Sequence, residues 1–180
     1  MTTNANRMVQ RAGPSVSCIE FGLRRAQGPN GALTATKYAV LGGFKGSSNV
    51  YAGQLYGIPI SGTIAHSYIM SFDSDEKPEG VELDGVNLIE EGLKLRDELG
   101  WTNTILSELY AFLSYGSSYP ENFLCLVDTF DTIESGCRNF LIGAILLEKL
   151  GYKAKGIRLD SGDLAQLSKD AKVLFKEVGE

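Results

Sequence analysis

Histidine is all but missing from this chain, with one residue, His66, in 180. That scarcity excludes a histidine-built metal centre and places any neutral-pH group transfer by an imidazole on one position. Cysteine is scarce as well. Cys18, Cys125 and Cys137 are an odd number, far apart, with no Cys-x-x-Cys among them. This argues against a zinc site and a disulfide framework and makes a reducing, cytoplasmic compartment the expected one. There is no run of lysine or arginine, and the formal net charge is -5 with a pI near 5.0, so a surface that tracks nucleic-acid phosphates is not expected. No apolar run approaches the roughly 20 residues that span a bilayer, and the N-terminus lacks a basic-then-apolar signal pattern. Neither nucleic acid nor membrane is therefore an expected partner.

What is present is a globular composition, 43% hydrophobic and 22% charged, in a length that suits one domain or part of one. Strand and helix signals alternate. Residues 16–23 read as a strand that runs into Arg24-Arg25 and a Gly/Pro/Asn turn, and residues 32–41 read as a helix closed by Gly42-Gly43. Residues 57–62 read as the next strand, and residues 73–84 as an exposed loop without regular structure. Residues 88–99 and 105–115 carry apolar side chains at helical spacing. Residues 123–127 form a continuous apolar strand, residues 139–150 an apolar helix stopped by Gly151, residues 154–159 a last strand, and residues 164–178 an amphipathic helix. Four such strand–helix units imply an α/β fold with parallel pairing, because a parallel pair needs a crossover long enough to hold a helix. The periodicities leave a doubly wound sheet and part of a barrel equally open.

In either architecture ligands gather at the C-terminal ends of the strands, and Arg24, His66, Asp128 and Arg158 all fall at or just beyond such ends. His66 lies in the small-residue turn Ser61-Gly62-Thr63-Ile64-Ala65-His66-Ser67, which leaves backbone bare enough for a substrate to approach. Each residue also has a plainer role open to it. The histidine can be a hydrogen-bonded structural residue and Arg24-Arg25 a solvated pair, while Asp128, Asp131 and residues 160–163 can cap loops and helices. A helix N-terminus with a glycine and a preceding arginine is equally a site for phosphate or carboxylate, so capping and binding are compatible.

Several blocks carry a resemblance in series. They are Glu20-Phe21-Gly22-Leu23-Arg24-Arg25, Gly42-Gly43-Phe44 with Gly46-Ser47-Ser48-Asn49-Val50, Ser61-Gly62-Thr63 through His66-Ser67, Leu126-Val127-Asp128-Thr129, and Ile157-Arg158-Leu159-Asp160-Ser161-Gly162-Asp163. In order and spacing they resemble the nicotinate phosphoribosyltransferase family. The nicotinamide-using relatives typically have glutamate, proline and aspartate where this chain has Ala65, Leu159 and Ser48. An aspartate at Ser48 would repel the carboxylate of nicotinate, so all three positions favour nicotinate.

The resemblance implies transfer of a phosphoribosyl group from phosphoribosyl pyrophosphate to nicotinate, giving nicotinate mononucleotide in NAD salvage, coupled to ATP hydrolysis. It implies that His66 is phosphorylated by ATP, that Thr63 and Arg158 hold nicotinate, and that Arg24 and Asp160 lie near the phosphoribosyl pyrophosphate, with Mg2+ accompanying the phosphates. Asp128 or Asp160 could offset positive charge on the sugar or help hold that magnesium. It further implies a homodimer in full-length form and the irregular α/β barrel of a type II phosphoribosyltransferase. Residues 1–14 then read as the remnant of an upstream helix and residues 15–180 as the first half of the barrel. A fragment of this kind is expected to be inactive by itself. The alternative is a short, catalytically inactive product that acts as a binding or dimerisation module.

Overall fold

Strand and helix do alternate in the computed structural model, which describes residues 1–179, but the strands are far shorter than the apolar runs that suggest them. The chain divides into two units, Met1–Gly62 and Thr63 onward.

In the first unit α1 (Thr2–Ala12) packs against α2 (Gly28–Leu41). The expected strand over residues 16–23 shrinks to β1 (Ile19–Glu20), paired in parallel with β2 (Gly46–Ser47), and gives way to a 3-10 turn at Leu23–Arg25. The strand expected over residues 57–62 is reduced to one bridge, Ile60 to Ser47. Pro59 has no N–H to give, and the ladder consists of Ser47 N–H to the Pro59 carbonyl and Ser61 N–H to the Ser47 carbonyl. Between them stands α3 (Val50–Tyr56), absent from the sequence reading, whose first turn is capped by Asn49 Oδ1 accepting from the Ala52 amide at 3.1 Å.

The second unit opens with the single turn α4 (His66–Ile69). The loop expected over residues 73–84 is irregular only in its first part. At its end β3 (Glu82–Leu83) turns through Asp84-Gly85, at φ 52° and 80°, into the antiparallel β4 (Val86–Asn87). Helix α5 (Leu88–Glu98) starts on the Asn87 side chain, which accepts from the amides of Ile89 and Glu90, both at 3.1 Å. After α6 (Leu106–Ser118) comes β5 (Leu124–Leu126), then a π-helical turn (Thr132–Cys137), α7 (Arg138–Lys149), β6 (Gly156–Arg158) and α8 (Leu164–Gly179). β5 and β6 pair in parallel across the α7 crossover, which is the strand–helix–strand unit the sequence implied.

Two apolar clusters meet on α6 and α7. One joins Phe112, Phe123, Leu126, Val127 and Phe140, with the rings of Phe123 and Phe140 stacked at 5.4 Å. The other joins Leu88, Ile89, Leu109, Leu113 and Ile142. Burial on both faces explains why residues 123–127 read as an unbroken apolar run. Among the described residues no helix is long and apolar enough to cross a membrane.

A cluster of polar groups lies inside this core. Glu108 of α6 is fully buried, and its Oε2 accepts from Ser135 Oγ at 2.6 Å and Asn139 Nδ2 at 3.0 Å, while Oε1 and Asn139 Oδ1 have no hydrogen-bond partner. Burial pushes its pKa up to about 7 against the lowering effect of those two hydrogen bonds. With the folded value above the unfolded one near 4.5, the folded state holds the extra proton. Its contribution to stability is full at low pH and is lost as pH rises from about 4.5 through 7, by roughly 3 kcal/mol. We expect Glu108→Gln to remove that fall. Urea titrations of both proteins from pH 4.5 to 8 check it, and parallel pH profiles would refute it.

Candidate functional site

The segment that enters α4 is fastened to the first residue of β5. Thr63 Oγ1 donates to the Leu124 carbonyl, and Tyr115 beside it donates its phenol to the Asn122 carbonyl at 3.0 Å. Four residues after Leu124 the chain reaches Asp128, just past the C-terminal end of β5, where its side chain is 2% exposed. Asp128 Oδ2 accepts from the amides of Asp160 (2.7 Å) and Ser161 (2.6 Å) and from the Ser161 hydroxyl (2.8 Å). The loop after β6 thus closes on the loop after β5. The other oxygen, Oδ1, lies 3.2 Å from His66 Nε2.

Burial pushes the Asp128 carboxyl up, but the Ser161 hydroxyl, the two amides and the facing His66 outweigh it and hold the group below the usual carboxylate range. Asp128 is therefore ionised at neutral pH and can only accept. The hydrogen between the two residues must sit on His66 Nε2, which in the neutral imidazole leaves the lone pair on Nδ1. The His66 side chain is 39% exposed, so a reactant can reach it. This is an oriented imidazole with a buried counter-ion, an arrangement that raises the nucleophilicity of the free nitrogen and stabilises positive charge on the ring.

Arg158, the last residue of β6, donates from Nη1 to the Ile64 carbonyl at 3.5 Å and from Nη2 to Asp160 Oδ2 at 3.2 Å. One edge of the guanidinium is thereby fixed, and with it the plane that a carboxylate or aromatic ring would meet. The structure brings His66, Asp128, Arg158 and Asp160 together at the C-terminal ends of β5 and β6, while Thr63 is held at Leu124, the first residue of β5. Arg24 belongs to the first unit, exposed in the 3-10 turn after β1. The capping expectations also hold, since Asp131 caps the π-helical turn and Asp163 the first turn of α8.

The buried cysteines are not rival nucleophiles. Burial raises the Cys125 thiol well above its ordinary value and pushes Cys137 up to about 12. Among the described residues no group of three histidine, cysteine, aspartate or glutamate side chains could hold a metal ion. Sequence reasoning missed Ser161 as the clamp on Asp128, since a serine in a Ser-Gly-Asp turn reads as a helix cap. It also missed Glu108, although a glutamate three and four residues before Ala111 and Phe112 stands on the buried face of α6 and could have been noticed.

Known proteins are similar to this chain along its whole length. Residues 16–87 match the nicotinate phosphoribosyltransferase (NAPRTase) family. The nicotinate phosphoribosyltransferase of Dictyostelium discoideum is 49% identical over 185 residues, which is 100% of this chain and 31% of the relative. That of Caenorhabditis elegans is 44% identical over 193 residues, covering 99% and 34%. The crystal structure of human nicotinic acid phosphoribosyltransferase superposes with a TM-score of 0.87 at 42% identity, over 98% of this chain and 38% of that one. The chain thus spans about a third of the length of the curated relatives it matches.

Proposed function

We infer that this chain belongs to the nicotinate phosphoribosyltransferase family, to whose members it is similar along its length, and that it carries part of the machinery that converts nicotinate and phosphoribosyl pyrophosphate to nicotinate mononucleotide and pyrophosphate, with ATP hydrolysed alongside. The observation that carries this reading is the 3.2 Å pairing of His66 with the buried Asp128. In the proposed ATP step the Nδ1 lone pair forms an N–P bond with the γ-phosphorus as the bond to the departing ADP breaks. Nε2–H continues to face Asp128, whose charge offsets that of the ring. Water later returns the phosphoryl group as phosphate. A phosphoimidazole beside the pyrophosphate position would change the affinities for substrate and product, which is how hydrolysis becomes coupled to the transfer.

Thr63 and Arg158 are the proposed nicotinate contacts and Arg24 and Asp160 the proposed contacts of phosphoribosyl pyrophosphate. The chain offers no metal cage of its own among the described residues, so we assign Mg2+ to the phosphates of the substrates and route no step through it. The α/β segment is proposed as part of the irregular barrel of a type II phosphoribosyltransferase, homodimeric in its full-length form.

The test is phosphohistidine formation in a full-length enzyme bearing this segment. With ATP and Mg2+ the parent protein is expected to give a phosphoamidate 31P signal, and His66→Ala none, with an unchanged circular dichroism spectrum because the half-exposed ring fills no core volume. Undiminished phosphoprotein in the variant would overturn the assignment.

A further inference from the structure

The first unit contains a polar network that the proposed reaction does not use. Glu20 ends β1, and its Oε2 accepts from Thr36 Oγ1 of α2 at 2.8 Å and from Ser47 Oγ of β2 at 2.7 Å. Both hydroxyl residues are fully buried. Asn49 completes the network, giving Nδ2 to Thr36 Oγ1 at 3.2 Å and its amide to Ser47 Oγ at 2.9 Å. The remaining oxygen, Oε1, accepts from the amide of Gly22. Gly22 is the residue on which the Leu23–Arg25 turn starts.

Nothing in that turn is buried. Its internal bonds are Arg25 N–H to the Gly22 carbonyl at 2.9 Å and Ala26 N–H to the Leu23 carbonyl at 3.2 Å. A single turn of this kind is marginal without a tether. Three donors converge on Glu20, one amide and two hydroxyls, and a carboxylate is the side chain that accepts on both oxygens. A Cβ on Gly22 would lie 2.9 Å from Glu20 Oε1, so a larger residue there displaces that oxygen.

We propose that Glu20 is a positioning residue for phosphoribosyl pyrophosphate, tethering the Gly22 amide so that the turn holds the Arg24 guanidinium ready for the substrate's phosphates. The proposal rests on the assignment of Arg24 to phosphoribosyl pyrophosphate made above. Its physical content is preorganisation: an arginine on a tethered turn loses less freedom on binding an anion than one on a loose turn.

Steady-state kinetics of the full-length enzyme test it. Glu20→Ala is expected to raise KM for phosphoribosyl pyrophosphate about 10-fold while kcat and KM for nicotinate stay within about two-fold. Glu20→Gln retains an acceptor for the Gly22 amide and should restore KM to within about two-fold of the parent. In an Arg24→Ala background, Glu20→Ala should add nothing, because the group it positions is gone. Gly22→Ala guards against loss of the fold, since it displaces Oε1 while leaving the Oε2 bonds to Thr36 and Ser47, and it should reproduce the KM rise. Additive effects of the Glu20 and Arg24 substitutions, no rescue by glutamine, or equal losses for both substrates would overturn the positioning role. If Arg24→Ala alone leaves KM for phosphoribosyl pyrophosphate unchanged, the Arg24 assignment fails and the proposal falls with it.

Discussion

Gly136→Ala is expected to cost more than about 4 kcal/mol and to leave the second unit unfolded or misfolded at 37 °C. Gly136 lies in the π-helical turn, where an added Cβ would sit 1.9 Å from the Val127 carbonyl oxygen, 2.7 Å from its carbonyl carbon and 2.9 Å from the Val127 Cβ. These are backbone and Cβ atoms of a fully buried residue, and the Val127 amide is itself bonded to the Arg158 carbonyl at 3.2 Å. No flexible side-chain tip can swing aside, so the methyl group must push β5 from β6 or the π-helical turn from both. Gly31→Ala is the control, since its Cβ would meet nothing nearer than 3.6 Å inside α2, and it should stabilise by roughly 0.5–1 kcal/mol. Urea midpoints of the two variants and the parent decide the matter. A Gly136→Ala cost below about 1.5 kcal/mol would mean that the two segments are not packed as described.

The close approach at Gly136 also illustrates what a sequence conceals. Helices α5, α7 and α8 were legible because their apolar residues recur at helical spacing and Gly151 stops α7. Helix α3 was not, because Val50 and Tyr51 remain 69% and 57% exposed and leave no apolar stripe to detect. The hairpin turn Asp84-Gly85 was readable in principle, yet four strand residues around it are too few to show alternation. Strand ends were overestimated wherever an apolar run continued past the ladder, as at residues 16–23 and 57–62. At the site, placing polar residues at strand ends gave His66, Asp128 and Arg158, while their roles came from the resemblance. The pairing of His66 with Asp128, 62 positions apart, depends on the Ser161 clamp and is visible only in three dimensions.

Two buried carboxylates of the second unit, Glu108 and Asp128, show how environment sorts one chemistry into two behaviours. Glu108 has two donors on one oxygen and none on the other, and burial prevails. Asp128 has three donors on Oδ2 and the imidazole on Oδ1, and the hydrogen bonds prevail. Their contributions to stability therefore run in opposite directions with pH. That of Asp128 is present above its unfolded value of about 3.9 and is lost as pH falls through its lower folded value.

Asp128→Asn is expected to slow the proposed phosphorylation of His66 by about three to four orders of magnitude while the fold survives, the size of effect seen when an aspartate that orients a catalytic imidazole is made neutral. The asparagine oxygen can keep the place of Oδ2 and accept from the Asp160 and Ser161 amides and the Ser161 hydroxyl, so the clamp between the β5 and β6 loops persists. Its amide nitrogen then faces His66 Nε2, where the parent has an acceptor at 3.2 Å. A donor in that place requires a lone pair on Nε2, so the neutral ring carries its hydrogen on Nδ1, and the nitrogen proposed to attack ATP is blocked. The negative charge that offsets the phosphorylated ring is lost at the same time. Asp128→Ala should do more general damage, because it leaves two amides and a hydroxyl without their acceptor, and it should lower the unfolding midpoint as well as the rate. Rapid-quench measurement of phosphohistidine in the full-length enzyme, with 15N NMR of the imidazole to read the tautomer, separates these effects. A parent-like rate in Asp128→Asn, or an Nε2-protonated ring in that variant, would show that Asp128 does not govern which nitrogen attacks.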